Sequence, residues 1–133
     1  MLRKYQEKDH RRLIKMLMEE GATAKELESE DFNNNPTYIL EKGNLIIGFF
    51  TYRVEGHGYP HLLHFLISKP NRNGRWAFRL IRLAKQHLRG ERHKQFIIHA
   101  PKQRRDLLNI ISWYARRLPY DESARHRFYL VEV

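Results

Sequence analysis

The sequence contains no cysteine, which excludes disulfide bonds, zinc–thiolate sites and thiol catalysis. No run approaches the roughly 20 apolar residues of a membrane-spanning helix. The N-terminal stretch, MLRKYQEKDHRR, has neither an apolar core nor a small-residue cleavage site, so we expect no signal peptide. These absences are typical of a cytoplasmic protein without a membrane span. The 133 residues predict a single domain, 1–133, that needs no disulfide or metal to fold.

Acidic residues are scarce in the second half of the chain. Residues 1–60 contain 9 Lys or Arg against 10 Asp or Glu, a net charge of −1. Residues 61–133 contain 16 against 5, a net charge of +11, so the entire basic excess lies there. This asymmetry predicts a polyanionic partner, either a nucleic acid or a phosphate-rich ligand. The alternative is a set of solvated surfaces that simply use arginine.

The first half of the sequence predicts an antiparallel meander preceded by helices. Leu2–Gln6 is a short predicted strand, and Asp9 is a suitable N-cap for an amphipathic helix that Gly21 ends. A second, short helix is predicted within Thr23–Asp31. The meander strands that follow are Thr37–Glu41, Leu45–Glu55 and Leu62–Ser68, and Gly48 indicates a bulge in the second of them.

The second half predicts helices that cross between strands. Its predicted elements are a helix at Arg75–Leu88 with Gly90 as C-cap, a strand at Lys94–His99, a helix at Arg104–Arg117 that Pro119 ends, and a strand at Arg127–Val133. The element order is β-α-(α)-β-β-β-α-β-α-β. This order predicts a mixed α/β (α+β) fold with a mostly antiparallel central sheet flanked by helices.

The stretch His61–Leu88, HLLHFLISKPNRNGRWAFRLIRLAKQHL, joins an apolar strand to an arginine-rich helix through a polar loop. The first N–H groups of a helix have no partners within the helix, and the helix dipole favours negative charge there. The stretch therefore predicts an anion-binding turn.

Three segments carry a resemblance to a known family. They are LRKYQEKDHRRLIKML at the start, TYILEKGNLIIGFFTYRVEG in the meander, and SWYARRLPY followed by RFYLVEV at the end. With the element order above, they resemble the GNAT superfamily of acyl-CoA-dependent N-acetyltransferases over essentially the whole chain. The resemblance implies a GNAT-like fold and acetyl-CoA as co-substrate.

The family's signature loop, Q/R-x-x-G-x-G/A, corresponds here to Asn71–Trp76. Gly74 matches the pattern, and Asn71 is a polar substitute for Gln or Arg. Trp76 stands where a small residue is expected, unless the alignment shifts by one residue onto Ala77. An indole at that position implies either a different loop path or weakened acyl-CoA binding, while Arg72 and Arg75 supply charge for a phosphate.

The resemblance implies roles for two sets of residues and for Tyr114. The backbone edge at Leu66, Ile67 and Ser68 would hold the pantetheine arm. The pyrophosphate would bind at the loop residues Asn71, Arg72, Asn73, Gly74, Arg75, Trp76 and Ala77. Tyr114 corresponds to the family's tyrosine that protonates the departing thiolate, and its alternative role is helix packing.

Acyl transfer to an amine also requires a proton acceptor, and the candidates are Glu55, His61 and His64. His64 lies inside LLHFLI, where a core role is the alternative. His57, between two glycines, is typical of a turn. No H-x-x-x-H or H-x-x-E-H spacing occurs, so the sequence predicts no metal site.

Basic side chains near aromatic residues are typical of nucleic-acid surfaces. The candidates for such contacts are Arg79, Arg82, Lys85, Arg104 and Arg105, with Trp113 nearby in the sequence. No helix-turn-helix, RNP or zinc-finger pattern occurs, so sequence-specific DNA binding is not indicated. A solvated helix face is the alternative. A homodimer formed along an unpaired strand edge is a further alternative.

The leading hypothesis is an N-acyltransferase that transfers an acetyl group from acetyl-CoA to an amine of an unidentified acceptor, itself anionic or associated with nucleic acid. The second hypothesis is a GNAT-shaped basic module without catalytic activity, which binds nucleic acid or serves a structural role.

Overall fold

The computed structural model of the chain describes residues 1–54, 56, 58–117 and 125–133, with only the backbone at positions 116 and 117. Glu55 and His57, which the sequence analysis considered for catalysis and for a turn, lie outside the described residues, as does Pro119. No helix in the described ranges is long and apolar enough to cross a membrane.

The described residues form one mixed sheet and four α-helices, which confirms the predicted fold class. The strands are β1 (Leu2–Lys4), β2 (Thr37–Lys42), β3 (Leu45–Val54), β4 (Pro60–Ile67), β5 (Gln95–Pro101), β6 (Ala115–Arg117) and β7 (His126–Glu132). The helices are α1 (His10–Glu19), α2 (Ala24–Glu28), α3 (Arg75–Gly90) and α4 (Arg105–Ser112).

The strand order across the sheet is β1-β2-β3-β4-β5-β7-β6. Every neighbouring pair is antiparallel except β4 and β5, which are parallel and joined through α3. The register of β2 against β3 shifts at Ile47, next to Gly48, which agrees with the bulge that the sequence predicts there.

Two hydrophobic cores lie on opposite faces of the sheet. Neighbouring residues of β3 point to opposite faces, so Phe49 packs in the core with α1, while Phe50 packs in the core with α3 and α4. The apolar stripe of α3 comprises Ala77, Leu80, Ile81, Ala84 and Leu88, all of them buried. This helical spacing places the arginines of α3 on its other side.

The predicted N-cap role of Asp9 is wrong. Its carboxylate makes no capping bond to α1. Instead it accepts a hydrogen bond from the Gln6 N–H at 2.9 Å and a bidentate pair from Arg3 at 2.8 and 2.9 Å. These contacts, the Arg3 guanidinium above all, lower the pKa of Asp9. Asp9 therefore fastens strand β1 to the turn that precedes α1.

The predicted helix at Arg104–Arg117 is also too long. Helix α4 ends at Ser112, and Ala115–Arg117 forms strand β6, which pairs with β7 at the edge of the sheet. At the end of α3, the helix continues through Gly90, and Arg92 takes the left-handed conformation with φ 67°. Gly90 is therefore not the C-cap that the sequence predicts.

Candidate active site

The most open part of the sheet lies between β4 and β5. The two strands pair only at His61↔Ile97 and Leu62↔Ile98, and then diverge. The divergence begins at Leu63, an extra residue that interrupts the pairing of β4 with β3 between Thr51↔His64 and Tyr52↔Leu62. A bulge bends the strand that contains it, so Leu63 turns the second half of β4 away from β5.

The divergence leaves one edge of β4 without a neighbouring strand. Backbone groups of successive residues point alternately to the two edges of a strand. The Ser68 N–H donates to the Ile47 carbonyl at 2.8 Å, so those of Ile67 and Phe65 point to the opposite, open edge. There the Ile67 carbonyl accepts a hydrogen bond from Arg72 Nε at 2.9 Å. This edge can accommodate an extended chain with amide groups of its own.

The open edge leads directly into the loop before α3. Gly74 precedes the helix with φ +85°, a conformation that L side chains rarely adopt. Within the described residues, the backbone N–H groups of Gly74, Trp76 and Ala77 donate no hydrogen bond, while the Arg75 N–H is capped by Asn73 Oδ1 at 3.2 Å. Three free N–H groups at the N-terminus of a 16-residue helix form a site for an anion.

The structure distinguishes Trp76 from Ala77. Ala77 is buried and lines a narrow cavity of about 20 Å³ beside the loop, together with Gly74 and Ile110. The Trp76 ring instead lies between the side chains of Lys42, Arg75 and Arg79, and lines a separate surface hollow near Gly43. Ala77 therefore lines the cavity beside the loop, and the indole of Trp76 does not.

A cleft of about 630 Å³ lies between the diverging strands. His64, Phe65 and Leu66 line it from β4, and His99 and Pro101 line it from β5. Residues of α1 and of the segment before α4 complete its wall. The cleft is large enough for an extended ligand arm and a second reactant.

Charged side chains at the loop end of the cleft are paired. Glu20 binds Arg72 in an ion pair and lies 3.4 Å from Arg104. Arg104 also forms two 3.1 Å hydrogen bonds with Asp106. Burial, followed by the charge of Arg104, lowers the pKa of Arg72. The two guanidiniums therefore share one carboxylate, which a phosphate group can replace without leaving either cation unpaired.

His64 forms a dyad with Glu30. Nε2 of His64 lies 2.8 and 2.9 Å from the two carboxylate oxygens of Glu30, and both side chains are mostly buried. A carboxylate accepts hydrogen bonds, so Nε2–H is the donor to Glu30. In the neutral ring this leaves the lone pair on Nδ1, so the dyad fixes the tautomer of a histidine on the cleft wall.

A second group of histidines lines the β5 side of the cleft. His99 Nδ1 lies 3.1 Å from His61 Nε2, and the His99 ring packs edge-on against His126 on β7. Burial, with smaller contributions from His61 and His126, lowers the pKa of His99 to about 3. His99 is therefore neutral at physiological pH and presents a polar, uncharged surface to the cleft.

The structure does not bring Tyr114 to this cleft. Its ring packs edge-on against Phe78 at 5.9 Å, and the Lys85 ammonium lies 5.2 Å from the ring centre. Both contacts are on α3, and Tyr114 is not among the described residues that line the cleft. This arrangement matches the packing role that the sequence analysis left open.

The other predicted ligand-binding residues divide by position. Leu66, Ile67, Asn71, Arg72, Gly74 and Ala77 line the narrow cavity beside the loop. Ser68 is buried and accepts a 2.7 Å hydrogen bond from the Asn71 side chain, which fixes the start of the loop. Asn73 and Arg75 lie at the helix N-terminus. Glu30 and His99 are not predicted from the sequence, because Glu30 meets His64, and His99 meets His61, only once the chain has folded.

Comparisons with solved structures find the same architecture. An IAA acetyltransferase from Bacillus cereus is 10% identical and superimposes with a TM-score of 0.78 over 100% of this chain and 99% of its own. A GNAT-family acetyltransferase from Staphylococcus aureus is 12% identical, with a TM-score of 0.79 over 99% and 98%. A Bacillus anthracis structure solved with acetyl coenzyme A is 15% identical, with a TM-score of 0.65 over 80% and 71%.

No protein-family model and no curated protein sequence matches this chain. At these identities the structural likeness establishes the fold alone. The chain therefore has the fold of the GNAT acetyltransferases.

Proposed function

We propose that this protein is an N-acetyltransferase that transfers the acetyl group of acetyl-CoA to an amine. One observation carries the proposal. The open edge of β4 at Phe65 and Ile67 ends at a loop whose free N–H groups at Gly74, Trp76 and Ala77 form an anion site. An extended amide-containing arm that ends in a pyrophosphate has the chemistry to occupy both parts together.

The residues present fit such a molecule. The N–H groups at the start of α3 would bind the pyrophosphate, and the helix dipole would favour its charge. Arg72 and Arg104 would add charge-assisted contacts once a phosphate replaces Glu20. The open edge of β4 would hydrogen-bond the amides of the pantetheine arm, as an added strand does. Such binding would place the thioester beside His64.

His64 would act as the general base. In the transfer, the amine nitrogen bonds to the acetyl carbon and the carbon–sulfur bond breaks. The surplus proton of the amine passes to Nδ1 of His64. It then passes to the departing sulfur, so CoA leaves as the thiol and His64 is again neutral. Glu30 stabilises the imidazolium that forms, because its carboxylate lies 2.8 Å from Nε2. Glu55 stays a second candidate for this role.

The acceptor amine would enter from the side of the cleft formed by β5 and β7. His99 and His126 line that side, and His99 is uncharged near neutral pH because burial depresses its pKa. The uncharged His99 ring does not repel the protonated form of an amine. Arg125, which lines the cleft beside His126, supplies a positive charge that a carboxylate of the acceptor can pair with.

Two measurements test the proposal. Isothermal titration with acetyl-CoA is expected to show one site per chain, and thiol release with a panel of primary amines is expected to depend on the amine. A folded protein that binds no acetyl-CoA at high micromolar concentration would contradict the proposal. It would favour the second hypothesis, a module with the same fold and no acyl transfer.

A further inference from the structure

We propose that the exposed face of α3 binds single-stranded nucleic acid. The face consists of four arginines, Arg75, Arg79, Arg82 and Arg89, which we call the arginine row. All four are exposed. The proposal concerns a surface outside the cleft and does not depend on acetyl transfer.

The row is straight. At 3.6 residues per turn, its members fall within about 80° around the helix axis. At 1.5 Å per residue, the distance along the axis from Arg75 to Arg89 is about 21 Å. Gln86 lies on the same stripe and continues it with an uncharged polar group. A straight line of cations of this length matches a repeating polyanion better than a single phosphate group.

The row has no acidic partner within the described residues. Helix α3 contains no Asp or Glu, and none of the four arginines forms an ion pair with a described carboxylate. By contrast, Arg3, Arg72 and Arg104 are each paired with carboxylates. An external anion can therefore reach the guanidiniums of the row without displacing a described carboxylate.

Aromatic rings flank the row on both sides. The Trp76 ring lies 5.6 Å from the Arg75 guanidinium and 5.9 Å from that of Arg79, and it is half-buried. On the other flank, Tyr114 packs on Phe78 and Lys85, and its neighbour in the chain, Trp113, is 79% exposed. The exposed indole of Trp113 offers a flat face on which an unpaired base can stack.

A shallow groove of about 450 Å³ runs along the row. Phe78 and Leu83 give the groove apolar walls between Arg79, Arg82 and Gln86. Cations that alternate with apolar and aromatic surface suit a strand whose phosphates and bases are both accessible. In a duplex the bases are stacked inside, so a duplex would use only the charges. An acidic polypeptide would leave the indoles and the apolar walls without a partner.

The row begins at the loop but extends away from it. Arg75 follows Gly74 directly, whereas Arg82 and Arg89 lie about two and four helical turns further along α3. A strand bound at Arg79, Arg82 and Arg89 would therefore leave the N–H groups of the loop free. We expect a nucleic acid and acetyl-CoA to bind at the same time.

The test is fluorescence anisotropy with a labelled single-stranded 12-mer of uridine or thymidine. The affinity is measured at several salt concentrations between about 50 and 200 mM, the range in which binding through phosphate contacts weakens steeply. The variant Arg79→Ala/Arg82→Ala/Arg89→Ala is expected to bind at least about tenfold more weakly. Its plot of log affinity against log salt is expected to be shallower by about 2, since each lost phosphate contact removes about 0.7.

A matched control separates the row from net charge. Lys8→Ala/Arg11→Ala/Lys15→Ala removes three exposed cations from the turn before α1 and from α1 itself, so both variants have the same net charge. We expect the control to keep nearly the full affinity and salt dependence. Thermal melting of both variants checks folding, and all six side chains are exposed, so both should fold.

Four results would overturn the proposal. They are no binding at low salt, an equal loss in the two triple variants, duplex or polyglutamate binding as tight as the single strand, and displacement of the strand by acetyl-CoA. The last would show that the row is only part of the acyl-CoA site. The assay is run without acetyl-CoA first, so failure of the acetyltransferase proposal does not affect its outcome.

Discussion

The two edges of strand β4 have opposite roles. Toward β3, β4 pairs at seven positions from Pro60 to Ile67, and Gly48 lets the two backbones approach closely. Toward β5, it pairs at only two positions. Backbone groups removed from water must find partners, so an edge left unpaired beside a cleft is a place for a ligand. One edge of β4 therefore stabilises the sheet, while the other is the edge that we propose binds acetyl-CoA.

The largest effect is expected at His64, which projects into the cleft beside the open edge. His64→Gln is expected to lower kcat for acetyl transfer by about 10²–10⁴-fold, because the amine loses its proton acceptor. Glu30→Gln should lower kcat less and move the acidic limb of the pH–rate profile, because Glu30 acts through His64. Steady-state kinetics by thiol release measure both.

His10→Gln is the control for His64, since His10 is exposed at the start of α1. Unchanged kcat in His64→Gln, with the same acetyl-CoA affinity, would contradict the assignment. Activity that falls equally in His10→Gln would show a general effect of histidine loss.

The next largest effect is expected on acetyl-CoA affinity when Ala77 is substituted, and Trp76 is the matched comparison at the end of the open edge. Ala77→Val puts two methyl groups into the narrow cavity beside the loop. We expect acetyl-CoA affinity to fall by about 10–100-fold, the equivalent of one lost charge-assisted hydrogen bond. Trp76→Ala should change it by less than about threefold, because the indole points to Lys42 and Arg79.

Isothermal titration of the two variants measures this difference, with thermal melting to check that Ala77→Val is folded. If the order is reversed, with Trp76→Ala binding much more tightly or weakly and Ala77→Val unchanged, the placement of the small residue at position 77 is wrong.

The paired edge is tested at Gly48. A Cβ there would lie 2.4 Å from the Leu66 carbonyl oxygen and 2.8 Å from Ile67 Cδ1, so β3 and β4 must move apart. We expect Gly48→Ala to lower the free energy of unfolding by about 1–3 kcal/mol. Gly56→Ala is the control, since nothing lies within 4 Å of a Cβ there. Urea denaturation compares the two, and equal stability would mean that the edges of β4 are not packed as described.

The smallest effect concerns pH and the β5 side of the cleft. The pKa of His99 is about 3 in the folded protein and about 6.5 in an unfolded chain. The unfolded chain therefore takes up a proton first as pH falls. The contribution of neutral His99 to the free energy of unfolding is full above about pH 6.5. It is lost progressively toward pH 3, by up to about 1.4 kcal/mol per pH unit.

Urea unfolding at about pH 7.5 and about pH 5 measures this loss, because these conditions lie roughly one unit or more above and below the pKa of His99 in the unfolded chain. His99→Gln should lose less stability than the wild type between the two conditions. A larger loss in the variant would contradict a neutral, buried His99.

Short-range patterns in the sequence predict much of this fold. Alternation of apolar residues predicts the meander, and the glycine-bearing loop predicts that α3 begins at Arg75. The three residues of β6 carry no such signal, because Ala115–Arg117 becomes a strand only by pairing with β7. Asp9 has the residue type of an N-cap, but Arg3 offers its carboxylate a stronger partner.

The site is less predictable than the fold for the same physical reason. The loop around Gly74 is local, so its anion-binding geometry follows from the sequence. The His64–Glu30 pair joins residues 34 positions apart, and the His61–His99 pair joins residues 38 positions apart. The direction of the Trp76 side chain depends on Lys42, which reaches it only once β2 and α3 have packed.

Residue-resolved amide hydrogen exchange with and without saturating acetyl-CoA tests the open edge most directly. Acetyl-CoA is expected to slow exchange of the Phe65 and Ile67 N–H groups by about tenfold or more, because they gain partners on the ligand. The Leu66 N–H, which points toward β3, should be unaffected. Unchanged exchange at Phe65 and Ile67 under saturating acetyl-CoA would contradict the account.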